Sequence, residues 1–353
     1  MKYTEEYWKD VEEVIHCIPN YKALFNKTVF ITGGTGMICS AAVEILDLMN
    51  RKYNANIRII IAVRSEQEIE NRFPGWIEKK AVEYFHYDAT SQEPLDFEAD
   101  YIIHAASNAN PALYTKEPVE TMLSNIVGLH MLFQNAVKNG VKRVLYFSSS
   151  EVYGKIDEVR PFKEDDYGFI DILNPRACYP NSKRAAETLC ASYAQEYNID
   201  AVIVRPGHIY GPTIAPWDTR ASAQFSRSAA NGEDIIMKSA GLQLRSYMYT
   251  LDCASAILTV LLNGESENAY NISNPDSIVT IRDIADSLAK AGNVNVVYED
   301  PSDQEKKGYN LMPNSALDSK KLEALGWKGC FELGRGAECT VRYLQDSENG
   351  TEK

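Results

Sequence analysis

The chain has 353 residues, 45% hydrophobic and 24% charged, with a formal net charge of −13. That length holds two domains, or one large core with a smaller partner, and the balance is that of a folded globular protein. The negative charge argues against a nucleic-acid partner, because phosphate-backbone binding rests on clustered Lys and Arg.

The opening MKYTEEYWKD is charged and lacks the apolar stretch of a secretion signal. No run reaches the ~20 apolar residues that a membrane span needs. Seven cysteines (Cys17, Cys39, Cys178, Cys190, Cys253, Cys330, Cys339) form no CxxC pair and no ligand spacing with histidine. Reduced thiols in a cytoplasmic protein are therefore expected, with no metal centre and no membrane partner.

In chain order, Trp8, Val11, Ile15 and Ile18 fall at helical spacing and predict an amphipathic helix within an extension over 1–26. KTVFITGGTGMICSAAVEILDLM then reads as strand, glycine-rich turn and helix. The apolar runs Ile57–Val63, Val82–His86 and Tyr101–His104 read as further strands. Met122, Ile126, Leu129, Phe133 and Val137 predict one face of a helix that Gly140 ends. VKRVLYFSSS and AVIVRPGHIYG are the fifth and sixth strands, with a long helix from Tyr179 to about Tyr197 between them. Strands alternating with helices predict an α/β fold, a Rossmann-type doubly wound parallel sheet over 27–205, to which 245–262 returns.

After Arg205 the rhythm breaks at Pro206, Pro212 and Pro216. A smaller mixed α/β substrate domain is expected over 206–244 and 263–345. Within it, Thr280 and Asp283 cap a helix, and Leu333, Ala337, Val341 and Leu344 mark a closing one. A frayed tail follows over 346–353.

The strand–TGGTGMIC–helix passage is where such a sheet binds a pyrophosphate. Gly33 permits the tight turn, Gly36 lets backbone approach phosphate, and the helix N-terminus at Met37 and Ile38 offers unpaired N–H groups. A plain glycine-rich turn is the alternative, and Cys39 takes the place of a third small residue. The second strand ends in Val63-Arg64-Ser65, without the acidic residue that would bond the ribose of NAD. Arg64 is either a receptor for the 2′-phosphate of NADP or a solvated surface arginine. Asp88 is placed either to meet an adenine or to form a turn.

Tyr179 and Lys183 lie four apart on one helix and so share a face. A phenol titrates near 10, and a neighbouring ammonium is expected to lower it toward the working range of a base. Ser149 is positioned to bond the same substrate hydroxyl. YxxxK alone is common; its combination with TGxxG and SSSEVYG is far more specific.

The succession TGGTGMI, HAAS (His104–Ser107), SSSEVYG, YPNSK, RPGHIYGP and LRSYMYTLDCASAI resembles the extended short-chain dehydrogenase/reductases that act on nucleotide sugars. The likeness runs from about Lys27 to about Trp327. SNANPALYTKEPVETMLSNIVG, SSSEVYG and RACYPNSKRAAETLC resemble UDP-glucuronate decarboxylases most. The resemblance implies bound NAD, a nucleotide-sugar substrate, and a homodimer formed through two helices per subunit; Arg64 replaces the family's usual acidic residue and leaves NADP open. The resemblance gives catalysis to Tyr179, Lys183, Ser149 and Glu151. To the cofactor it gives the glycine loop through Ile38, Ala105, Ala106, Tyr179 and Lys183, beside Arg64 and Asp88 read from their strand ends, and to the substrate Ser107, Ser150, His208, Arg220 and Arg245.

Related 4,6-dehydratases carry Asp–Glu after the hydroxyl residue, where this chain has Ser150-Glu151. Oxidation of a uronic acid at carbon 4 makes a β-keto acid that loses carbon dioxide, and Glu151 or a water it positions would manage protonation at carbon 5. A 4-epimerase or 4,6-dehydratase is the nearest alternative. A non-catalytic dinucleotide sensor is a remote one, against which Ser149, Tyr179 and Lys183 all argue. Arg245 reads equally as a buried structural arginine, and His208 stands where relatives usually carry asparagine. His16, His86, His104 and His130 form no metal-like cluster.

Overall fold

The computed structural model describes residues 3–300 and 312–348. Short segments rich in β-branched and aromatic residues supply the strands Thr28–Thr32 (β1), Arg58–Val63 (β2), Glu83–His86 (β3), Tyr101–His104 (β4), Arg143–Phe147 (β5) and Ala201–Pro206 (β6). His208–Tyr210 (β7), Ile235–Met237 (β8), Leu244–Tyr249 (β9) and Ala269–Ile272 (β10) follow. The main sheet has seven parallel strands in the order β10-β6-β5-β4-β1-β2-β3.

Successive side chains on each strand point to opposite faces, so both faces are apolar. Val29 and Ile31 of β1 enter one core with Ile59, Ile61 and Ile103, while Phe30 enters the other with Ile60 and Ile102. The first core is covered by the helices Met37–Tyr53 (α2) and Thr250–Asn263 (α8), the second by Pro118–Asn139 (α5) and Cys178–Tyr197 (α6). This is the doubly wound α/β fold expected. Its strand order reverses between β1 and β4, which opens a crevice at their carboxyl ends.

A second sheet carries β7, β9, Ile278–Thr280 (β11) and Asn314–Ser315 (β13), while β8 pairs Val296–Tyr298 (β12). Beside them pack the helices Ala221–Ala230 (α7), Ile281–Gly292 (α9) and Leu333–Glu348. The Thr280–Asp283 capping box opens α9 as predicted.

Several boundaries differ from expectation. AVIVRPGHIYG is two strands. Pro206 ends the ladder of β6, and a Cβ at Gly207 would lie 2.8 Å from the Ser246 carbonyl, so the chain turns there toward β9. β10, expected in the smaller domain, closes the parallel sheet because Tyr270 and Ile272 bury against β6. Only α8 of 245–262 returns to the main sheet; β9 stays with the smaller one. On α5, Met122 and Val137 are exposed, and the buried face instead includes Leu129, Leu132, Phe133 and Ala136. The expected tail begins within a helix that runs to Glu348, since Tyr343 anchors it; 349–353 lie outside the described residues.

The extension forms Glu5–His16 (α1), N-capped by Thr4 and laid on α2. Glu44 of α2 is fully buried and accepts from Tyr3 (2.8 Å), from Tyr7 and from Arg72, the last on Glu66–Arg72 (α3). Removing one partner of a buried ion pair leaves the other charge uncompensated. Glu44→Ala is therefore expected to lower the unfolding free energy by about 3–5 kcal/mol in urea denaturation.

The structure also corrects the expectation of seven reduced thiols. The end of α1 and the loop before the last helix bring Cys17 and Cys330 together as a disulfide. These positions are 313 residues apart, so no local spacing signalled them. The other five cysteines are free and buried. No helix among the described residues is long and apolar enough to cross a membrane.

Candidate active site

The glycine loop joins β1 to α2 at the crevice. Gly33 has φ +67°, and a Cβ there would stand 3.1 Å from the Ala105 carbonyl carbon and the Ala106 nitrogen. The turn is left-handed and jammed against β4, which only glycine satisfies. Gly33→Ala is expected to cost about 1–3 kcal/mol, read as a lower midpoint in chemical denaturation. Gly36 is the N-cap of α2 and supplies no side-chain cap, so the helix presents first-turn N–H groups to the crevice.

Thr32 ties the two chain crossings together. Its hydroxyl accepts from the Ala105 and Ala106 amides, both at 3.1 Å, and lies 2.8 Å from His104 Nδ1. With both acceptor directions used, the hydroxyl donates to Nδ1, which puts the imidazole proton on Nε2. Burial, then the Lys183 charge, push His104 down to about 3, so it stays neutral.

Tyr179 lies in the first turn of α6, buried beneath Tyr114 of Pro111–Lys116 (α4). The two rings stack with centroids 5.1 Å apart at 11°. Ser149, two residues past β5, hydrogen-bonds Tyr179 and also accepts from the Glu151 amide at 3.2 Å. The Glu151 carboxylate accepts from Tyr114 Oη at 3.2 Å and sits 3.7 Å from the Arg176 guanidinium. Burial raises the Glu151 pKa, and Arg176 and the Tyr114 bond oppose that rise.

The expected influence of Lys183 on Tyr179 is overturned. Burial and the Glu151 carboxylate raise the phenol, and the opposing groups are Ser149 and Arg220. Lys183 Nζ donates to the Phe147 carbonyl at 2.6 Å and lies 5.6 Å from the Tyr179 ring centre. Burial itself pushes Lys183 down to about 7. Four-residue spacing put the two on one face but could not reveal the competing carbonyl.

The side toward the smaller sheet is cationic. Arg245 of β9 is buried and donates to the Leu244 and Met312 carbonyls at 2.8 and 2.9 Å. Arg220, the N-cap of α7, is gripped by Asp218 at 2.6 Å and half-exposed. Its charge reaches both Tyr179 and His208, so it links the two halves of the site. His208 Nδ1 and Ser107 Oγ are buried without a partner, and Ser150 is buried beside Glu151.

Two predicted residues have local partners of their own. Arg64 is 75% exposed and leans toward Glu68 at 3.7 Å. Asp88 accepts from the Thr90 amide and hydroxyl at 2.9 and 2.8 Å, the geometry of a turn. Sequence reasoning missed Tyr114 and Arg176 as individuals, although both lie in stretches that carried the resemblance. Ring stacking and a 3.7 Å ion pair leave no local pattern to find. Among the described residues no cluster of His, Cys, Asp and Glu could hold a metal.

Comparison with known proteins gives a consistent picture. The profile described as NAD dependent epimerase/dehydratase family matches residues 29–273. UDP-glucuronic acid decarboxylase 6 of Arabidopsis thaliana is 31% identical over 88% of this chain and 87% of its own. UDP-glucuronic acid decarboxylase 1 of Xenopus tropicalis is 29% identical over 90% of this chain and 72% of its own. Among solved structures, UDP-glucose 4-epimerase of Thermotoga maritima superposes with TM-score 0.74 at 22% identity, covering 91% of this chain and 99% of that one. A dTDP-glucose 4,6-dehydratase of Bacillus anthracis, solved with NAD, gives 0.73 at 18% identity, covering 92% and 98%. At these identities the structures establish the fold.

Proposed function

Because the chain belongs to the NAD dependent epimerase/dehydratase family, we propose that it decarboxylates a nucleotide-linked uronic acid, UDP-glucuronate, to a UDP-pentose. The observation that carries this reading is Glu151, a part-buried carboxylate held by Tyr114 and Arg176 and close enough to act on Tyr179. A 4-epimerase has no chemical use for such a group. The named relatives at about 30% identity are decarboxylases, which supports the same choice.

The site fits NAD. Gly33 leaves room where any Cβ would meet Ala105 and Ala106, and the uncapped N-terminus of α2 suits a diphosphate. Gly33, Gly36, Met37 and Ile38 would hold the diphosphate, with Asp88, Ala105 and Ala106 along the remainder. Arg64, turned toward Glu68, gives no support to a 2′-phosphate. Bound there, NAD would supply the acceptor and donor for the hydride of carbon 4 and a positive charge while oxidised.

The chain's own groups do the rest. Tyr179 takes the proton of the 4-hydroxyl while Ser149 bonds the same oxygen and fixes its direction. Ser149 and Arg220 oppose the burial that raises the phenol. Once carbon 4 is a ketone, the carboxyl on carbon 5 is lost as carbon dioxide, because the electron pair left behind is an enolate. Glu151, whose pKa burial raises, can hold a proton and deliver it to carbon 5. Arg176, still half-exposed, offers the incoming uronate a counter-charge, and Arg220, Arg245 and His208 face the diphosphate side.

The nucleotide sugar would lie between the parallel sheet and the smaller domain. Exposed Val119, Met122, Leu123 and Val137 on α5 support a homodimer through α5 and α6. A panel of UDP-, dTDP-, GDP- and CDP-sugars followed by NMR tests the substrate reading. Turnover of UDP-glucuronate alone is expected, and turnover confined to a neutral sugar nucleotide would make the chain an epimerase or dehydratase.

A further inference from the structure

We propose that His208 is a proton-coupled anion reader, taking up a proton when a diphosphate ester settles between Arg220 and Arg245. The proposal rests on the nucleotide-sugar reading of the site and adds a property that reading does not contain.

The geometry is specific. His208 lies on β7 opposite Tyr247 of β9, ring centres 5.5 Å apart, with Nδ1 buried and without a partner. The charged groups facing it come from two other elements, Arg245 on β9 and Arg220 at the N-cap of α7. Neither cation is balanced toward the histidine. Arg245 has no carboxylate partner among the described residues and gives only two of its N–H groups, to carbonyls. Asp218 is clamped on Arg220. Asp252 of α8, the helix behind β7, gives both oxygens to the Cys330 and Phe331 amides. Burial first, then the two guanidinium charges, push the free histidine down to about 3.

An anion bridging the two arginines reverses that balance. It cancels both repulsions and places negative charge within reach of the imidazole. Protonated, His208 turns its unpartnered Nδ1 into a third charged donor at the same anion. The sign follows from linkage. The free group is neutral above about pH 3, and the bound group is charged up to a higher pH, so binding takes up a proton between those limits and tightens as pH falls. At pH 8.5 both states are neutral and the linkage vanishes.

The test is titration calorimetry of the purified protein with UDP-xylose, in pairs of buffers that differ in ionisation heat. This ligand's phosphates are esterified at both ends and do not titrate near neutrality. The expected result is uptake of about half a proton or more at pH 5.5, none at pH 8.5, and about three- to tenfold tighter binding at the lower pH. His208→Asn and His208→Gln should bind without proton uptake. Binding by the wild-type protein without uptake at pH 5.5, or uptake that persists in both variants, would overturn the proposal alone. No binding of UDP-xylose or of UDP would overturn it together with the nucleotide-sugar reading, so the two failures are distinguishable.

Discussion

Tyr179→Phe is expected to lower kcat by about 10²–10⁴-fold, the range that a positioned general acid–base supplies. The substitution keeps the ring that stacks on Tyr114 at 5.1 Å and removes only the hydroxyl bonded by Ser149. Folding and nucleotide-sugar affinity should therefore survive, which circular dichroism and calorimetry will show. The pH profile carries a second signature. Burial and Glu151 raise the phenol, so its basic form becomes more abundant as pH rises through neutrality, and the rate climbs with it. Arg220→Leu removes a cation that opposes that rise and should move the rising limb to higher pH. A Tyr179→Phe enzyme that keeps more than about a tenth of wild-type kcat would show that another group moves the proton.

Glu151→Gln should separate the two halves of the reaction. Decarboxylation to the pentose is expected to fall by about 10²–10³-fold, while addition of UDP-glucuronate still produces reduced cofactor, seen by its absorbance. Glutamine preserves the size of the group and can still accept from Tyr114, but it cannot hold and release a proton. Arg176→Leu probes the same group from the other side. The guanidinium opposes the raised pKa of Glu151, so its loss should push that carboxyl higher and shift the pH optimum upward. It should also raise KM for a uronate more than for a neutral sugar nucleotide. Equal loss of cofactor reduction and of carbon dioxide release in Glu151→Gln would place this carboxylate in the first step instead.

The parallel sheet was legible because its information is local. Alternating apolar strands, a glycine turn at Gly33 and a capping box at Thr280–Asp283 each act within a few residues. What escaped depends on distant partners. Cys17 meets Cys330 only because α1 lies against the last helix, and β10 finds its place by pairing with β6. Glu151, Tyr179, Ser149 and Lys183 were named from motifs, yet the environment that sets their proton affinities came from elsewhere. Tyr114 arrives from α4 and Arg176 from the loop before α6, and the Phe147 carbonyl takes the Lys183 ammonium. Motif spacing located the groups, and only their tertiary neighbours gave the direction of each pKa shift.

The most direct measurement is to incubate the purified enzyme with UDP-glucuronate labelled with carbon-13 at carbon 6 and to follow the label by NMR. The expected result is labelled carbon dioxide in a one-to-one ratio with an unlabelled UDP-pentose, without net consumption of NAD. Recovery of the label in an intact hexuronate, with or without inversion at carbon 4, would contradict decarboxylation as the function of this site.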